Sequence, residues 1–145
     1  MRALVQRVTR ARVTVGDEVV GAIGAGLCVL VGVTHTDDAT QVQRLAAKLW
    51  NLRIMADGDG VMNLSVADTG GQLLVVSQFT LYGDTSGGRR PSWTAAARPE
   101  HAEPLISALI DALRAMGATV ATGRFRTEMA VELVNDGPAT VRVEV

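Results

Sequence analysis

Two rhythms of hydrophobic and polar positions alternate along the chain. From Ala3 to Val15, "ALVQRVTRARVTV" is rich in β-branched residues and partly alternates, which is the period of a half-buried strand. Gly16-Asp17 offers a turn, "EVVGAI" a short second strand, and "GAG" (24–26) a second turn. "LCVLVGV", Leu27 to Val33, has no polar side and predicts a central strand buried on both faces. Consecutive strands with tight turns predict an antiparallel meander.

The rhythm then changes. Val42, Leu45, Ala46 and Leu49 recur at helical spacing and predict a helix over about residues 38–51, with Thr36, Asp37 or Asp38 as its cap. "ADGDG" (56–60) reads as a turn and "VMNLSV" (61–66) as a short extended piece. "QLLVVSQFTL", Gln72 to Leu81, predicts a strong strand. An irregular segment, "YGDTSGGRRPSWTAAARP", follows, and loops this long inside a small domain are more often functional than ornamental. In "PEHAEPLISALIDALRAMG" the residues Leu105, Ile106, Leu109, Ile110, Leu113 and Met116 form the stripe of a second helix, with Gly117 at its C-terminal cap. Three strands close the chain: "ATVATG", "EMAVELV" (Met129, Val131 and Leu133 on one face) and "ATVRVEV" (Ala139, Val141, Val143 and Val145 on one face). Between the last two lies "VNDGPAT" (134–140). Asp-Gly there predicts a hairpin turn, and Pro138 stiffens it by fixing its own φ and giving up a donor. The order predicts one α+β domain over residues 1–145: a curled, barrel-like, mostly antiparallel sheet with two helices packed outside.

Composition narrows the class. The hydrophobic fraction of 48% and charged fraction of 20% describe an ordinary globular chain. No apolar run approaches the ~18 residues of a membrane helix. "MRALVQRVTR" lacks the apolar core of a signal peptide, and the single cysteine, Cys28, sits inside the apolar run as a buried thiol. A soluble cytoplasmic protein is predicted. The net charge of −1 announces no nucleic-acid partner. Yet Lys48 is the only lysine, and the other basic residues are arginines, suited to planar contacts with phosphate or carboxylate.

Conventional catalytic patterns are missing. His35 and His101 have no metal-like spacing to each other or to Cys28, the Asp-rich 56–60 turn lacks the glutamate of a calcium loop, and neither a G-x-S-x-G elbow nor a phosphate-cradling glycine loop occurs. Neither a metal nor another cofactor is expected, and an enzyme of this sequence is expected to work without a conventional general base. Two segments remain. "SQFTL" puts Ser77, Gln78 and Thr80 at the end of a buried strand, where sites are built; the other is "NDGPAT".

"SQFTLYGD", then "GRRPSW", "TGRF" and "EMAVELVNDGPAT", in that order, resemble the D-aminoacyl-tRNA deacylase family over essentially the whole chain. Trp93 stands where phenylalanine is common in the family, and Ala139 where valine is common. The resemblance implies a homodimer, with no membrane role, that hydrolyses the ester joining a D-amino acid to the 3′-terminal adenosine of tRNA; it also implies activity on glycyl-tRNA. It implies a catalytic segment of Ser77, Gln78, Phe79 and Thr80 forming the pocket floor. Gly137 and Pro138 of the other protomer would reach into that pocket, in the cis form, as a wall against L-amino acids. Arg7 resembles the residue that braces the partner's Gly-Pro, or is an exposed strand arginine. Phe125 and Met129 pack against the adenine or in the core. Arg89 and Arg90 are weaker candidates for tRNA phosphates. The oxyanion is left to the N–H groups of Phe79 and Thr80, with the ribose 2′-hydroxyl preferred over a Thr80 nucleophile that has no adjacent base. An RNA-end-binding dimer without turnover and a general small-ester hydrolase using Thr80 stay open as rivals.

Overall fold

Strand β1 (Arg2–Val15) is the spine of the computed structural model, which describes residues Met1–Val145. Along one edge it pairs antiparallel with β2 (Glu18–Ile23) through residues 11–15 and with β3 (Gly26–Gly32) through residues 2–8. The register runs unbroken from Arg2↔Gly32 through Val8↔Gly26 to Ala11↔Ile23. The predicted meander is therefore one long hairpin. The chain reverses at Gly16-Asp17, whereas "GAG" only bends the returning arm, because Ile23 before it and Gly26 at its end keep the same register against β1.

Helix α1 (Ala39–Trp50) follows with a capping box: Asp38 accepts from the Thr40 N–H, and the Gln41 side chain reaches back to the Asp38 N–H. Val42, Leu45, Ala46 and Leu49 are buried, as their spacing predicts. A small ribbon of β4 (Met55–Ala56) and β5 (Met62–Leu64) leads into α2 (Val66–Thr69). This single turn was not predicted; Ser65 caps it by accepting from the Asp68 N–H. Strand β6 (Gln72–Ser77) pairs parallel with β3. Helix α3 (Pro99–Ala115) buries Ile106, Leu109 and Leu113, while Met116, expected on the same stripe, lies exposed at its end. Strand β7 (Val120–Thr122) pairs parallel with β6.

The sheet order is β2-β1-β3-β6-β7. Its two end strands come together, and Arg124, just past β7, pairs with Glu18 of β2 at 3.1 Å. The sheet is thus curled almost into a barrel. Two cores result. Val8, Ala11, Val13, Ile23, Cys28, Leu74 and Val76 fill the inside of the curl. Leu27, Val29, Val31, Leu73 and Val75 face outward against α1 and α3. Strands β3 and β6 are apolar on both sides for that reason. Burial pushes the Cys28 thiol up to about 11, so it stays protonated and inert.

The final strand departs most from expectation. Instead of a hairpin, Ala130–Glu144 forms one strand, β8, which pairs antiparallel with the free edge of β1 along nearly its whole length. Two stretches of this pairing are joined by a wide bulge: Gln6 is opposite Thr140, and Val8 is opposite Asn135. Between those pairs β1 spends one residue, Arg7, and β8 spends four, Asp136 to Ala139. Asp-Gly-Pro does break the ladder, but the strand resumes in the same direction, held by β1. Val131 is exposed and Met129 precedes β8, so the face expected for them with Leu133 is only partly buried.

Leu109 has no exposed surface and joins α3 to the outer core. Leu109→Ala is expected to lower unfolding stability by about 2–5 kcal/mol, read from the midpoint of a urea titration. A change under about 0.5 kcal/mol would remove α3 from the cooperative core.

Candidate active site

The predicted strand over Gln72–Leu81 stops at Ser77. Gln78 donates its N–H to the Val31 carbonyl at 2.7 Å, and the chain then tightens into a 3₁₀ turn, Phe79–Tyr82. Strand β3 ends at Gly32, so β6 has no neighbour on which to continue. Arg2 fixes the turn from below. Its Nη1 donates to the Leu81 carbonyl at 3.2 Å, its guanidinium lies 4.3 Å from the Tyr82 ring centre, and its Nε donates to Glu144 at 2.8 Å. Tyr82 is buried beneath it, and burial pushes its phenol up to about 12.

A cleft of about 600 Å³ opens at this strand end. Ser77, Gln78 and Phe79 form one wall, Ala97, Pro99 and Ala102 another, and Phe125, Arg126, Thr127 and Met129 a third. Five of the residues expected at the site therefore come together in one chain: Ser77, Gln78, Phe79, Phe125 and Met129. Phe125 and Met129 also pack against the two cores, as the core reading of them expects. Thr80 does not line the cleft. It is exposed, and its hydroxyl accepts from the Gln78 side-chain amide. The N–H groups of Phe79 and Thr80 head the 3₁₀ turn, where no side chain caps them.

The lining contains no Asp, Glu, His, Cys or Lys; Arg126 is its one charged side chain. Each histidine is engaged elsewhere. His35 Nε2 donates to the Thr94 carbonyl at 2.7 Å, and His101 Nε2 donates to the Asp37 carbonyl at 2.8 Å. No group of three His, Cys, Asp or Glu side chains is placed to hold a metal. Sequence reading missed Arg126 and Thr127. The Arg126 backbone has φ 57°, a left-handed value that favours glycine, so the residue type gives no hint of the turn that aims it.

The remaining expected residues form a second constellation away from that lining. At the bulge, Gly137 and Pro138 are exposed and their peptide bond is cis. The Ala139 N–H donates to the Asn135 side chain at 3.0 Å, and the Asn135 amide donates to Thr140 at 2.9 Å, closing the bulge from within. Arg7 is not an exposed strand arginine. It is buried against its own chain, donating from Nε to the Asp136 carbonyl at 3.1 Å and from Nη1 to the Ile54 carbonyl at 2.7 Å. The bulge register causes this, because Arg7 is the one β1 residue opposite the four-residue loop. Arg89 and Arg90 are exposed on the long loop, outside the cleft lining.

Fold and site together define a small α+β protein with a curled sheet, whose main cleft has apolar walls, the polar side chains of Ser77, Gln78 and Thr127, and one arginine. The family model described as D-Tyr-tRNA(Tyr) deacylase matches residues 4–144. A D-aminoacyl-tRNA deacylase of Chloroflexus aurantiacus is 59% identical over 99% of this chain and 90% of its own. Another, from Mycolicibacterium smegmatis, is 58% identical over the full length of both chains. Among solved structures, one titled c-Myc DNA Unwinding Element Binding Protein superposes with a TM-score of 0.95 at 38% identity, covering 100% of this chain and 99% of that one. A probable eukaryotic D-amino acid tRNA deacylase, at 15% identity and TM-score 0.85, covers 99% of this chain and 98% of that one and shares the fold. The chain belongs to the D-aminoacyl-tRNA deacylase family, whose members are hydrolases of aminoacyl-tRNA esters.

Gly137 has φ 121°, and a Cβ there would lie 2.5 Å from Arg7 Nη2. Gly137→Ala is expected to cost about 1–3 kcal/mol and to displace the guanidinium. Thermal unfolding reads the first effect. The second appears as faster proteolysis near the bulge. Unchanged behaviour in both would mean that the bulge is not held by Arg7.

Proposed function

We propose that this protein hydrolyses the ester bond of D-aminoacyl-tRNA, releasing the free D-amino acid and tRNA, and that main chain and substrate supply most of the chemistry. The observation that carries this reading is a cleft with no carboxylate, imidazole, thiol or amine in its lining, set beside two uncapped N–H groups in a chain of this family. The 3′-terminal adenosine enters between Phe125 and Met129. The ester carbonyl then lies over the 3₁₀ turn. Water attacks the carbonyl carbon, and the N–H groups of Phe79 and Thr80 stabilise the oxyanion, each good donor being worth about 2.7–4 kcal/mol. The C–O bond to the ribose 3′-oxygen breaks, and that oxygen leaves with a proton. The neighbouring 2′-hydroxyl positions the water and relays the proton, since no side chain in the lining can act as the base. Gln78 holds the Thr80 hydroxyl and thereby the shape of the turn.

Chirality is selected by shape. D and L substrates carry the same groups and differ only in where the side chain projects. A main-chain wall in the space of an L side chain separates them through a clash of several kcal/mol, when about 1.4 kcal/mol is already tenfold. Gly137-Pro138 is the candidate wall. It is exposed and absent from its own chain's cleft lining, which fits a homodimer in which each protomer lends its bulge to the other. Glycine has no side chain to reject, so glycyl-tRNA passes the same filter. A near-neutral protein of this kind binds tRNA modestly and with strong salt dependence.

Matched D- and L-tyrosyl-tRNA test the activity: rapid release of D-tyrosine with L-tyrosyl-tRNA spared is expected, and equal rates would end the chiral reading. A substrate whose terminal 2′-hydroxyl is replaced by hydrogen is expected to lose at least 100-fold in rate, on the scale of a lost proton-transfer partner, whereas Thr80→Ala keeps activity within about tenfold. A loss on the order of 10⁴-fold in Thr80→Ala, with the fold intact, would instead establish a covalent threonine. Mixing Thr80→Pro and Gly137→Ala protomers is expected to restore activity in heterodimers, because some sites regain both native parts. Heterodimers that recover nothing would exclude a shared site.

A further inference from the structure

The chain has only five aromatic residues, two Phe, two Trp and one Tyr. Tyr82 is buried and Trp50 packs against the outer core. Phe125 lines the cleft, and the remaining two form a pair beside it. Phe79, 55% exposed, lines the cleft wall; Trp93, 43% exposed, meets it edge-to-face with ring centres 5.5 Å apart and planes at 68°. Two large aromatic surfaces in contact and open to solvent are unexpected in a protein that otherwise hides its aromatic rings.

The pair is also held in place. Trp93 follows a small antiparallel clasp in which Asp84 and Ser92 exchange both N–H···O bonds at 2.8 Å. Its six-membered ring lies against Gly83, where a Cβ would come within 2.4 Å of Trp93 Cζ3. Ala97 N–H donates to the Val33 carbonyl at 2.9 Å, and Thr34 Oγ1 to the Ala95 carbonyl at 2.6 Å, fastening the other end of the segment. The loop closed by the clasp carries Arg89 and Arg90, both exposed.

We propose that Trp93, with Phe79, is a stacking platform for the nucleotide that precedes the terminal adenosine of the substrate, an unpaired cytosine base, with Arg89 and Arg90 near its phosphates. The inference rests on the reading of the cleft as the site for that adenosine. The substrate is covalently continuous, so the strand must leave the cleft past one of its walls. The Phe79 wall is the one that continues outward into an exposed ring and two arginines, the combination by which proteins hold single-stranded nucleic acid. Stacking is indifferent to the amino acid carried, which suits an enzyme accepting many D side chains.

Two substrates separate this proposal from the reading beneath it: D-tyrosyl-tRNA, and D-tyrosyl adenosine, which ends at the terminal nucleoside. Trp93→Ala is expected to raise KM for the tRNA on the order of tenfold, the effect of one lost base stack, and to leave KM for the adenosine ester unchanged. Trp93→Phe is expected to recover most of the loss. In a Trp50→Phe background, the trinucleotide CCA is expected to quench the remaining Trp93 fluorescence, and adenosine alone to leave it unquenched. Equal KM changes for both substrates, no change for either, or quenching by adenosine alone would overturn the platform. Dissociation of a dimer by Trp93→Ala, followed by sedimentation velocity, would also overturn it, by showing that a second copy covers the pair. Should the native protein fail to hydrolyse D-tyrosyl adenosine and D-tyrosyl-tRNA alike, the reading of the cleft falls first, independently of Trp93.

Discussion

The pairing of β8 with β1 is the constraint on which the rest of the molecule depends. Strand β1 serves β2 and β3 on one edge and β8 on the other, so a single segment of 14 residues holds both arms of the sheet. A ladder of this length leaves little freedom in register, because each side chain is committed to a face. Ala3 and Val5 face the helices, while Val8, Ala11 and Val13 face the interior of the curl. Odd-numbered positions change face between Val8 and Ala11, where the register with β8 shifts a second time. Opposite Arg7, β8 passes four residues against one, and the surplus must leave the sheet. Gly137-Pro138 is what leaves it.

Arg7 makes this excursion a defined shape. Bulged carbonyls cannot find partners in the ladder, and a buried unpaired carbonyl costs about 1–3 kcal/mol. The Arg7 fork donates to the Asp136 carbonyl and to Ile54, tying the bulge to the segment after α1. Its Nε also lies 3.4 Å from the Asp136 carboxylate, so the one buried guanidinium has an anionic partner at the protein surface. Lysine could not serve these positions together, since it presents a point charge and no planar fork. At the opposite strand end, Arg2 performs a related task, tying Glu144 of β8 to the 3₁₀ turn. The bulge and the 3₁₀ turn are thus both braced by β1 arginines reaching main-chain carbonyls.

Much of this was legible in the sequence where a pattern reflects one local cause. The α1 stripe at Val42, Leu45, Ala46 and Leu49 and the doubly apolar β3 describe burial directly, and both elements fold as their patterns indicate. The errors share a different origin. "GAG" and "NDGPAT" contain turn residues, and turn residues state that the backbone deviates, not that it reverses. Whether the chain reverses depends on what lies across from it. Here β1 lies opposite both segments and captures the strand on each side. Likewise "SQFTL" has strand composition throughout, yet pairing ends with Gly32 of the neighbour and the last residues tighten into a 3₁₀ turn. Arg126 was invisible because its role comes from an unusual φ and not from its residue type.

The same point explains why the family signature looks unlike a catalytic motif. An enzyme working through side chains advertises its nucleophile and base as residue types at set positions. In this cleft the groups proposed to stabilise the oxyanion are backbone N–H groups, and the wall proposed to judge chirality is backbone too. A sequence can specify backbone only indirectly, through the residues that permit a conformation and those that brace it. Glycine at 137 permits φ 121°, Arg7 and Asn135 brace the bulge, and Gln78 braces the turn that presents the Phe79 and Thr80 N–H groups. Such residues have small or uncharged side chains, or arginines aimed inward at carbonyls, and each alone reads as ordinary loop chemistry. Their meaning lies in combination and in the register that brings them opposite β1. On the proposed mechanism the protein contributes shape, and the ester's own ribose takes the part of the general base that the lining does not supply.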